Sequence, residues 1–291
     1  MYVYVCFDIE DLVHPASDDV PRDIGEMLAD DGIVASMCVV GEKARLWEQR
    51  GRGDVITAVG QHDVSLHTNR HSMHPTPSEY LADKGWNDGV AEAVRREEPG
   101  ARDLTRIFGV YPSTWGTPGS SWGPQIAVAT QQLGIPSNIY SHAEAGTTGA
   151  CWFAGQLCYS DYVGLAGGED ACCDDAEFET ALPQLLQKID ETRAKGAECL
   201  GLFAAHPTRF RYTIFWDQLN FTKGQNTAPD AYRFAPGRDD GAYAVGLRNL
   251  RRMLHAVREL KGVQLASVRS LNRRFALQTG TIAWRDLRCV A

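Results

Sequence analysis

The sequence lacks the features of several protein classes. No apolar run approaches the roughly 20 residues that a membrane helix requires. The 29 Lys and Arg residues are outnumbered by 37 Asp and Glu, for a net charge of −8. The chain therefore has neither the basic footprint of a nucleic-acid-binding protein nor a basic amphipathic stretch for anionic lipid. No basic segment or cleavage site opens the N-terminus, so we predict no signal peptide and expect a cytoplasmic protein.

The eight cysteines also follow no recognisable metal or redox pattern. They form no CxxC pair and no zinc-ribbon spacing. Cys6, Cys38 and Cys199 lie in apolar, strand-like runs, where a free cysteine behaves as a small hydrophobic residue. We interpret the vicinal pair Cys172 and Cys173 as part of a solvated acidic loop.

Hydrophobic periodicity predicts strands that alternate with helices along the whole chain. The predicted strands cover 2–7, 34–40, 62–66, 138–140, 152–157, 199–205 and 263–268. The predicted helices cover 21–31, 42–50, 77–97 with a break at 85, 102–108, 122–133, 176–194, 243–260 and a short segment from 270. This order favours parallel strands with helical crossovers, in a doubly wound sheet or a barrel. With no repeat or linker, one domain spanning 1–291 is the simpler interpretation, with a polar and aromatic insertion at about 207–240.

Polar residues collect where predicted strands end, which is where parallel α/β folds place their chemistry. The candidates are Asp8, Glu10, Asp11, His67, His71 and His206. Each group alone has an ordinary explanation as a turn, a helix cap or a surface pair. Together, two imidazoles and one carboxylate are a common catalytic zinc set that leaves a position open for water. We predict one divalent metal ion, zinc in the first instance, on His67, His71 and one of the three carboxylates Asp8, Glu10 and Asp11.

Four segments resemble the NodB-type polysaccharide deacetylases, carbohydrate esterase family 4. Residues 60–71 read GQHDVSLHTNRH, which is similar to the family's H-(S/T)-x-x-H motif and its lead-in G-H-E-I-G-N. Residues 35–44, ASMCVVGEKA, are similar to A-T-F-F-V-V-G-x-x-A. Residues 7–11, FDIED, resemble the first motif, and 202–206, LFAAH, resemble the final L-x-H motif. The order and spacing match over roughly residues 2 to 275.

The resemblance implies a distorted (β/α) barrel, with seven parallel strands, and specific roles for the site residues. Asp8 would be the general base, and His206 would protonate the leaving amine. In a branch of the family with D-x-D or D-x-E, the metal-binding carboxylate lies two residues after the base, which points to Glu10. Residues two apart on a strand share a face, which also suits this assignment. Asp11 stays the alternative if the strand ends earlier.

Two positions depart from the family pattern. Gly116 stands where an arginine usually orients the base, and 138–142 reads NIYSH where a W-x-x-D motif is expected. These departures weaken the case for chitin or peptidoglycan as substrate. The predicted substrate-binding residues are Trp115, Pro118 and, in the insertion, Trp216.

Three functions follow as hypotheses. The first is removal of an N-acyl group, acetyl in the first instance, from a sugar or glycoconjugate. The second is hydrolysis of a non-sugar C–N bond in a ureide or cyclic imide, as in the allantoinase-like branch. The third is a carbohydrate-binding relative without turnover, against which the intact Asp8, His67, His71 and His206 argue. In each case the partner is a small molecule or glycan and not nucleic acid or a membrane.

Overall fold

The computed structural model describes residues 1–119, 121–139, 149–160 and 162–275. Within these ranges ten strands form one sheet. The strands are β1 (Tyr2–Ile9), β2 (Ser36–Val39), β3 (Asp63–Leu66), β4 (Trp115–Gly116), β5 (Ser137–Ile139), β6 (Ala150–Phe153), β7 (Gln156–Tyr159), β8 (Tyr162–Gly164), β9 (Cys199–Ala205) and β10 (Gln264–Ala266). Their order is β6-β7-β5-β4-β3-β2-β1-β9-β8, and β10 pairs with the start of β1. Among these pairs only the β6–β7 hairpin is antiparallel.

Eleven α-helices connect and cover the described strands. They are α1 (Asp19–Asp30), α2 (Gly41–Gln49), α3 (Gly53–Gly60), α4 (Pro77–Leu81), α5 (Trp86–Phe108), α6 (Gln125–Gln132), α7 (Gly168–Cys172), α8 (Asp175–Ala194), α9 (Trp216–Asn220), α10 (Asp240–Glu259) and α11 (Val268–Phe275). Three 3-10 turns add Pro15–Asp18, Pro207–Phe210 and Pro229–Ala231. None of the helices in the described part of the chain has both the length and the apolar character needed to cross a membrane.

The alternation along β1 decides which of its side chains face the site. Val3, Val5, Phe7 and Ile9 belong to the main hydrophobic core, which the surrounding helices share. The residues between them point to the inside of the curved sheet, where Tyr4 and Cys6 join a second apolar cluster. Fully burying one such apolar side chain is worth about 1.5–3 kcal/mol. A shift of one residue in the strand would move these four side chains to the inner face and turn Asp8 and Glu10 into the main apolar core, so the register is strongly fixed.

The sheet curls into an open, barrel-like shape that is filled at one end. The rings of Tyr4 on β1 and Tyr159 on β7 lie 5.4 Å apart between centroids, although four strands separate β1 from β7. Helix α11 closes the amino-terminal end of this interior with Val268, Leu271 and Phe275, which recur at helical spacing. In the described part of the chain, the interior is therefore closed at the amino ends of the strands and opens at their carboxyl ends.

The predicted alternation of strands and helices is confirmed, as is the distorted (β/α) fold. The expected seven strands become ten in the described residues, because β4 and β8 were not expected and the hairpin β6–β7 takes the place of one predicted strand. The predicted strand at 152–157 is this hairpin, with its turn at Ala154 and Gly155. The predicted strand at 138–140 is β5, and position 140 lies outside the described residues.

Two local predictions were wrong. The helices predicted at 77–97 and 102–108 are broken at Gly85 as expected, but α5 continues through Pro99 to Phe108. Tight packing outweighs the lost hydrogen bond there, since a Cβ at Gly100 would lie 3.0 Å from Asn69 Cα. Cys172 and Cys173 do not lie in a solvated loop, because both are buried at the end of α7.

Candidate active site

The carboxyl ends of β1, β3 and β9 open into a cavity of about 460 Å³. Asp8 and Glu10 line it from β1, and His67 lines it from the residue after β3. His206 lines it from the residue after β9. Asp8 is 21% exposed, whereas Glu10 and His67 are buried. The structure therefore brings together the predicted base, acid and ligands in one cavity.

The HTNRH segment holds its two histidines together by a turn and not by a helix. Thr68 and His71 both have positive φ angles, 59° and 48°, which non-glycine residues adopt uncommonly. The His71 amide donates to Thr68 Oγ1 at 2.7 Å and closes the turn. The two imidazole rings lie 4.8 Å apart between centroids. Such backbone strain is characteristic of sites where function requires a fixed geometry.

Neighbouring helices hold this turn from behind. The Gly41 amide at the start of α2 donates to the Thr68 carbonyl at 3.0 Å. On α5, Glu97 Oε2 accepts from the Asn69 amide at 3.0 Å and from Trp115 Nε1 at 3.1 Å. Burial raises the pKa of Glu97 to about 7, although the hydrogen bonds from Trp115 and Asn69 oppose the rise. Glu97 thus connects the histidine turn to β4, a role that the sequence did not predict.

Glu10, His67 and His71 form a compact group whose ligand atoms all lie within 4.8 Å of one another. His71 Nε2 is 2.8 Å from Glu10 Oε2, and His67 Nε2 is 3.5 Å from the same oxygen. Among the described residues, neither Nε2 atom has a partner in hydrogen-bond geometry, although both are buried. Buried polar atoms that converge without hydrogen bonds are the arrangement expected of metal ligands. Two imidazoles and one carboxylate therefore fit a divalent ion.

The charge state of Glu10 suits the same role. Burial favours its neutral acid, but the charge of His71 and the closeness of both imidazoles to the carboxylate outweigh burial. The pKa of Glu10 is consequently held well below its usual range, so the side chain is a carboxylate. A carboxylate, and not a carboxylic acid, binds a metal ion.

Asp11 lies outside this group. Its Oδ1 accepts from the amides of Val13 and His14 at 2.8 and 3.0 Å. Its Oδ2 contacts His14 Nδ1 at 2.8 Å and accepts from the Thr208 hydroxyl. Both carboxylate oxygens are therefore used to fix the turn after β1. Of the two carboxylates left open by the sequence, the geometry favours Glu10.

His206 is oriented by a partner that the sequence did not reveal. Glu169 on α7 accepts from the His206 amide at 2.5 Å and lies 3.0 Å from His206 Nδ1. Burial lowers the pKa of His206, but Glu169 and the negative charges of Glu10 and Asp8 outweigh it and raise the pKa to about 9. His206 is thus a cation at neutral pH, with Nδ1 bound to Glu169. The Gly-Gly-Glu sequence at the start of α7, residues 167–169, carries no signal that could have identified this role.

The residues predicted to bind substrate do not form the cavity wall. Trp115 is fully buried, and its indole N–H donates to Glu97. Trp216 is also fully buried, and its Nε1 donates to Glu10 Oε1 at 3.3 Å. Pro118 is buried between Thr117 and Gly119, which line the cavity in its place. The apolar wall consists instead of Ile139, Tyr162, Phe203 and Phe215.

Gly116, at the position of the family's arginine, has a steric role. A Cβ at this position would lie 3.0 Å from His67 Nδ1, a buried atom without a hydrogen-bond partner among the described residues. The glycine therefore gives the His67 ring its space.

Asp8 is bordered by the thiols of Cys6 and Cys38, which also line the cavity. Tyr140 to His142, which align with the expected W-x-x-D motif, lie outside the described residues.

Comparison with known proteins shows the fold. No protein-family model and no curated protein matches the chain. Among solved structures, a protein of Mycobacterium smegmatis assigned to the polysaccharide deacetylases is similar at a TM-score of 0.57, 15% identity and coverage of 96% of this chain and 91% of that chain. Puue allantoinase is similar at a TM-score of 0.56, 14% identity and coverage of 96% and 92%. A 4-alpha-glucanotransferase of Thermococcus litoralis matches at a TM-score of 0.56 and 11% identity, covering 94% of this chain but 40% of that one. The chain therefore has the fold of the NodB-type polysaccharide deacetylases.

Proposed function

We propose that the chain is a metal-dependent hydrolase that removes an N-acyl group, acetyl in the first instance, from a sugar or glycoconjugate. The observation that carries this proposal is the convergence of Glu10, His67 and His71 in one buried group. Asp8 and His206 line the same cavity. A carboxylate base, an imidazolium acid and a three-ligand metal set are the groups that hydrolysis of a neutral amide requires.

Glu10, His67 and His71 would hold the metal ion, and two histidines with one carboxylate suit zinc. The bound ion would supply Lewis-acid polarisation of the amide carbonyl and a water of lowered pKa. Trp216 supports this set, because its N–H donates to one oxygen of Glu10 and leaves the other next to His71.

Asp8 and His206 would divide the proton transfers. Asp8 is a partly exposed carboxylate in the cavity, where it can accept a proton from the attacking water. His206 is protonated below a pH of about 9 and can donate a proton to the departing amine. Because the amine leaves poorly as an anion, this proton donation is needed for cleavage of the C–N bond. Glu169 keeps the imidazole in place through Nδ1.

A second candidate is hydrolysis of a non-sugar C–N bond, as in a ureide or cyclic imide. Two observations favour it. Gly116 replaces the arginine of the polysaccharide-active pattern, and three aromatic side chains, Tyr162, Phe203 and Phe215, line the cavity. The similarity in fold to an allantoinase fits this candidate as well as the similarity to a deacetylase fits the first. A binding protein without turnover is disfavoured, because base, acid and ligands are all in place.

Metal analysis combined with a hydrolysis screen tests the proposal. Acetate release should be measured over N-acetyl sugars, and the new carboxylate of the cleaved or ring-opened product over ureides and cyclic imides; whichever product appears decides between the two candidates. His67→Ala should lower metal content and activity together, since His67 is one of three ligands. His255→Ala is a matched control, because His255 lies on α10 in an ion pair with Asp31. A His67→Ala protein that keeps full metal occupancy would contradict the assignment.

A further inference from the structure

The insertion at about 207–240 reaches the proposed metal ligands through α9. Asp217, the second residue of this helix, accepts a hydrogen bond from Ser72 Oγ at 2.6 Å. The same hydroxyl lies 2.7 Å from Nδ1 of His71. A continuous chain of hydrogen bonds therefore runs from α9 through Ser72 to His71, across 145 residues of sequence between Ser72 and Asp217.

The chemistry of Asp217, Ser72 and His71 determines which of them donates in each hydrogen bond. An ionised carboxylate only accepts hydrogen bonds, so the Ser72 hydroxyl must donate its proton to Asp217. The oxygen of Ser72 is then free to accept, and Nδ1 of His71 must carry the proton that it receives. A neutral imidazole has one N–H, so Nε2 of His71 is left with its lone pair. That lone pair is the one that a metal ion needs, and Nε2 is the atom beside Glu10 Oε2.

The preceding residue of α9 holds the carboxylate ligand. Trp216 donates from Nε1 to Glu10 Oε1 at 3.3 Å. The indole is fully buried and packs edge-on against Phe221, with ring centroids 5.2 Å apart. Glu10 Oε1 is thereby occupied, and Oε2 remains directed at His67 and His71. Two consecutive residues of the insertion thus contact two of the three ligands, one directly and one through Ser72.

We propose that Asp217 and Trp216 are positioning residues for the metal site: Asp217 acts through Ser72 to fix the tautomer of His71, and Trp216 fixes the free oxygen of Glu10. The inference rests on the proposed function, since it assumes that these ligands bind a metal ion. The insertion is then a part of the metal site that sets its affinity, and not only a wall of the substrate cavity. Outer partners of metal-binding histidines typically contribute a factor of about 10–100 to metal affinity.

Substitutions separate this role from simple packing of the insertion. Ser72→Ala removes the hydroxyl that links Asp217 to His71 by hydrogen bonds, whereas Ser72→Thr keeps this hydroxyl. Asp217→Asn keeps the shape but offers an amide donor, which allows Ser72 to donate to His71 and moves the histidine proton to Nε2. Trp216→Phe keeps an aromatic ring without the N–H. Gln218→Ala is the control on the same helix, since Gln218 lines the cavity and, among the described residues, has no hydrogen bond to Glu10, His67 or His71.

The full chain loaded with Zn²⁺ is titrated with a chelator of known affinity. Long-range ¹H–¹⁵N spectra of the metal-free chain report the tautomer of the histidines, because a bound ion would itself keep the proton off Nε2. We expect zinc affinity to fall about 10–100-fold in Ser72→Ala and Asp217→Asn. It should fall less in Trp216→Phe and stay unchanged in Ser72→Thr and Gln218→Ala. The His71 signals should show Nδ1–H in the parent chain and lose this preference in Asp217→Asn.

Each failure has a distinct meaning. Parent-like zinc affinity in both Ser72→Ala and Asp217→Asn, with loss of zinc in His67→Ala, overturns the positioning role and leaves the proposed function intact. A parent chain that binds no Zn²⁺ overturns both. If Ser72→Ala does not fold, Asp217→Asn and Ser72→Thr still test the positioning role. An unchanged tautomer of His71 in Asp217→Asn contradicts that role by itself.

Discussion

Glu97 offers a test of the site's support that needs no substrate. Its buried carboxyl accepts hydrogen bonds from Asn69 and Trp115, and its pKa lies at about 7 instead of 4.5. At about 1.36 kcal/mol for each pH unit, this difference corresponds to at most about 3 kcal/mol of stability that depends on pH. Since Gln keeps an acceptor oxygen and never ionises, Glu97→Gln should remove this dependence.

Proton linkage determines whether the contribution of Glu97 to stability rises or falls with pH. The folded state holds the Glu97 proton more tightly than the unfolded state, because its pKa is raised. The resulting contribution is complete below about pH 4.5 and is lost as the pH rises through about 7. From pH 5 to pH 8 the parent chain should therefore lose stability relative to Glu97→Gln, by up to about 3 kcal/mol.

Urea unfolding of both proteins at several pH values measures the difference in their free energies of unfolding. Glu98→Gln is a suitable control, because the Glu98 side chain is the exposed neighbour on the same helix. Its stability should follow that of the parent chain across this range. The free energy of unfolding of Glu97→Gln minus that of the parent chain should therefore increase with pH. A difference that is independent of pH, or that decreases as the pH rises, would refute the assignment of a buried carboxyl with raised pKa.

Three further predictions concern the reaction. Asp8→Asn should lower kcat by about 10²–10⁴ with unchanged metal content, as measured by steady-state kinetics and metal analysis; loss of the metal would show that Asp8 is itself a ligand. His206→Ala should spare the metal and slow substrates with poor leaving amines most, so an equal defect across a leaving-group series would remove His206 as the acid. Glu169→Gln should lower the pKa of His206 from about 9, because a neutral amide no longer stabilises the imidazolium cation. The alkaline limb of the pH profile of kcat/KM should then move to lower pH, and an unmoved limb would contradict the pairing of Glu169 with His206.

The period of two along β1 made part of the site predictable. Apolar residues at 3, 5, 7 and 9 form the outer face, so Asp8 and Glu10 had to share the inner one. The choice between Glu10 and Asp11 needed tertiary structure, because the use of both Asp11 oxygens depends partly on Thr208 from a distant 3-10 turn. The histidine spacing likewise predicted which residues meet but not the turn that joins them.

The supporting residues could not be predicted because their partners are far away in sequence. Glu169 meets His206 across 37 residues, and Trp216 meets Glu10 across 206. A local pattern of residues contains no record of such pairs. Trp115, in the loop that precedes Pro118, and Trp216, in the insertion, were predicted as substrate contacts. Both are buried instead, and each indole N–H has found a carboxylate partner, as buried tryptophans require.

The position of β1 in the sheet has a consequence for when the site can form during synthesis. All three proposed ligands precede residue 72, but β1 pairs with β9 and β10, whose residues 199–205 and 264–266 are made much later. At about 5–20 residues per second, the 145 residues between Ser72 and Asp217 take roughly 7–30 s to translate. A nascent chain thus displays two histidines and a carboxylate well before the groups that orient them exist. Productive metal capture should follow completion of the sheet, so shortened chains that retain the histidine turn should be hydrolytically inert.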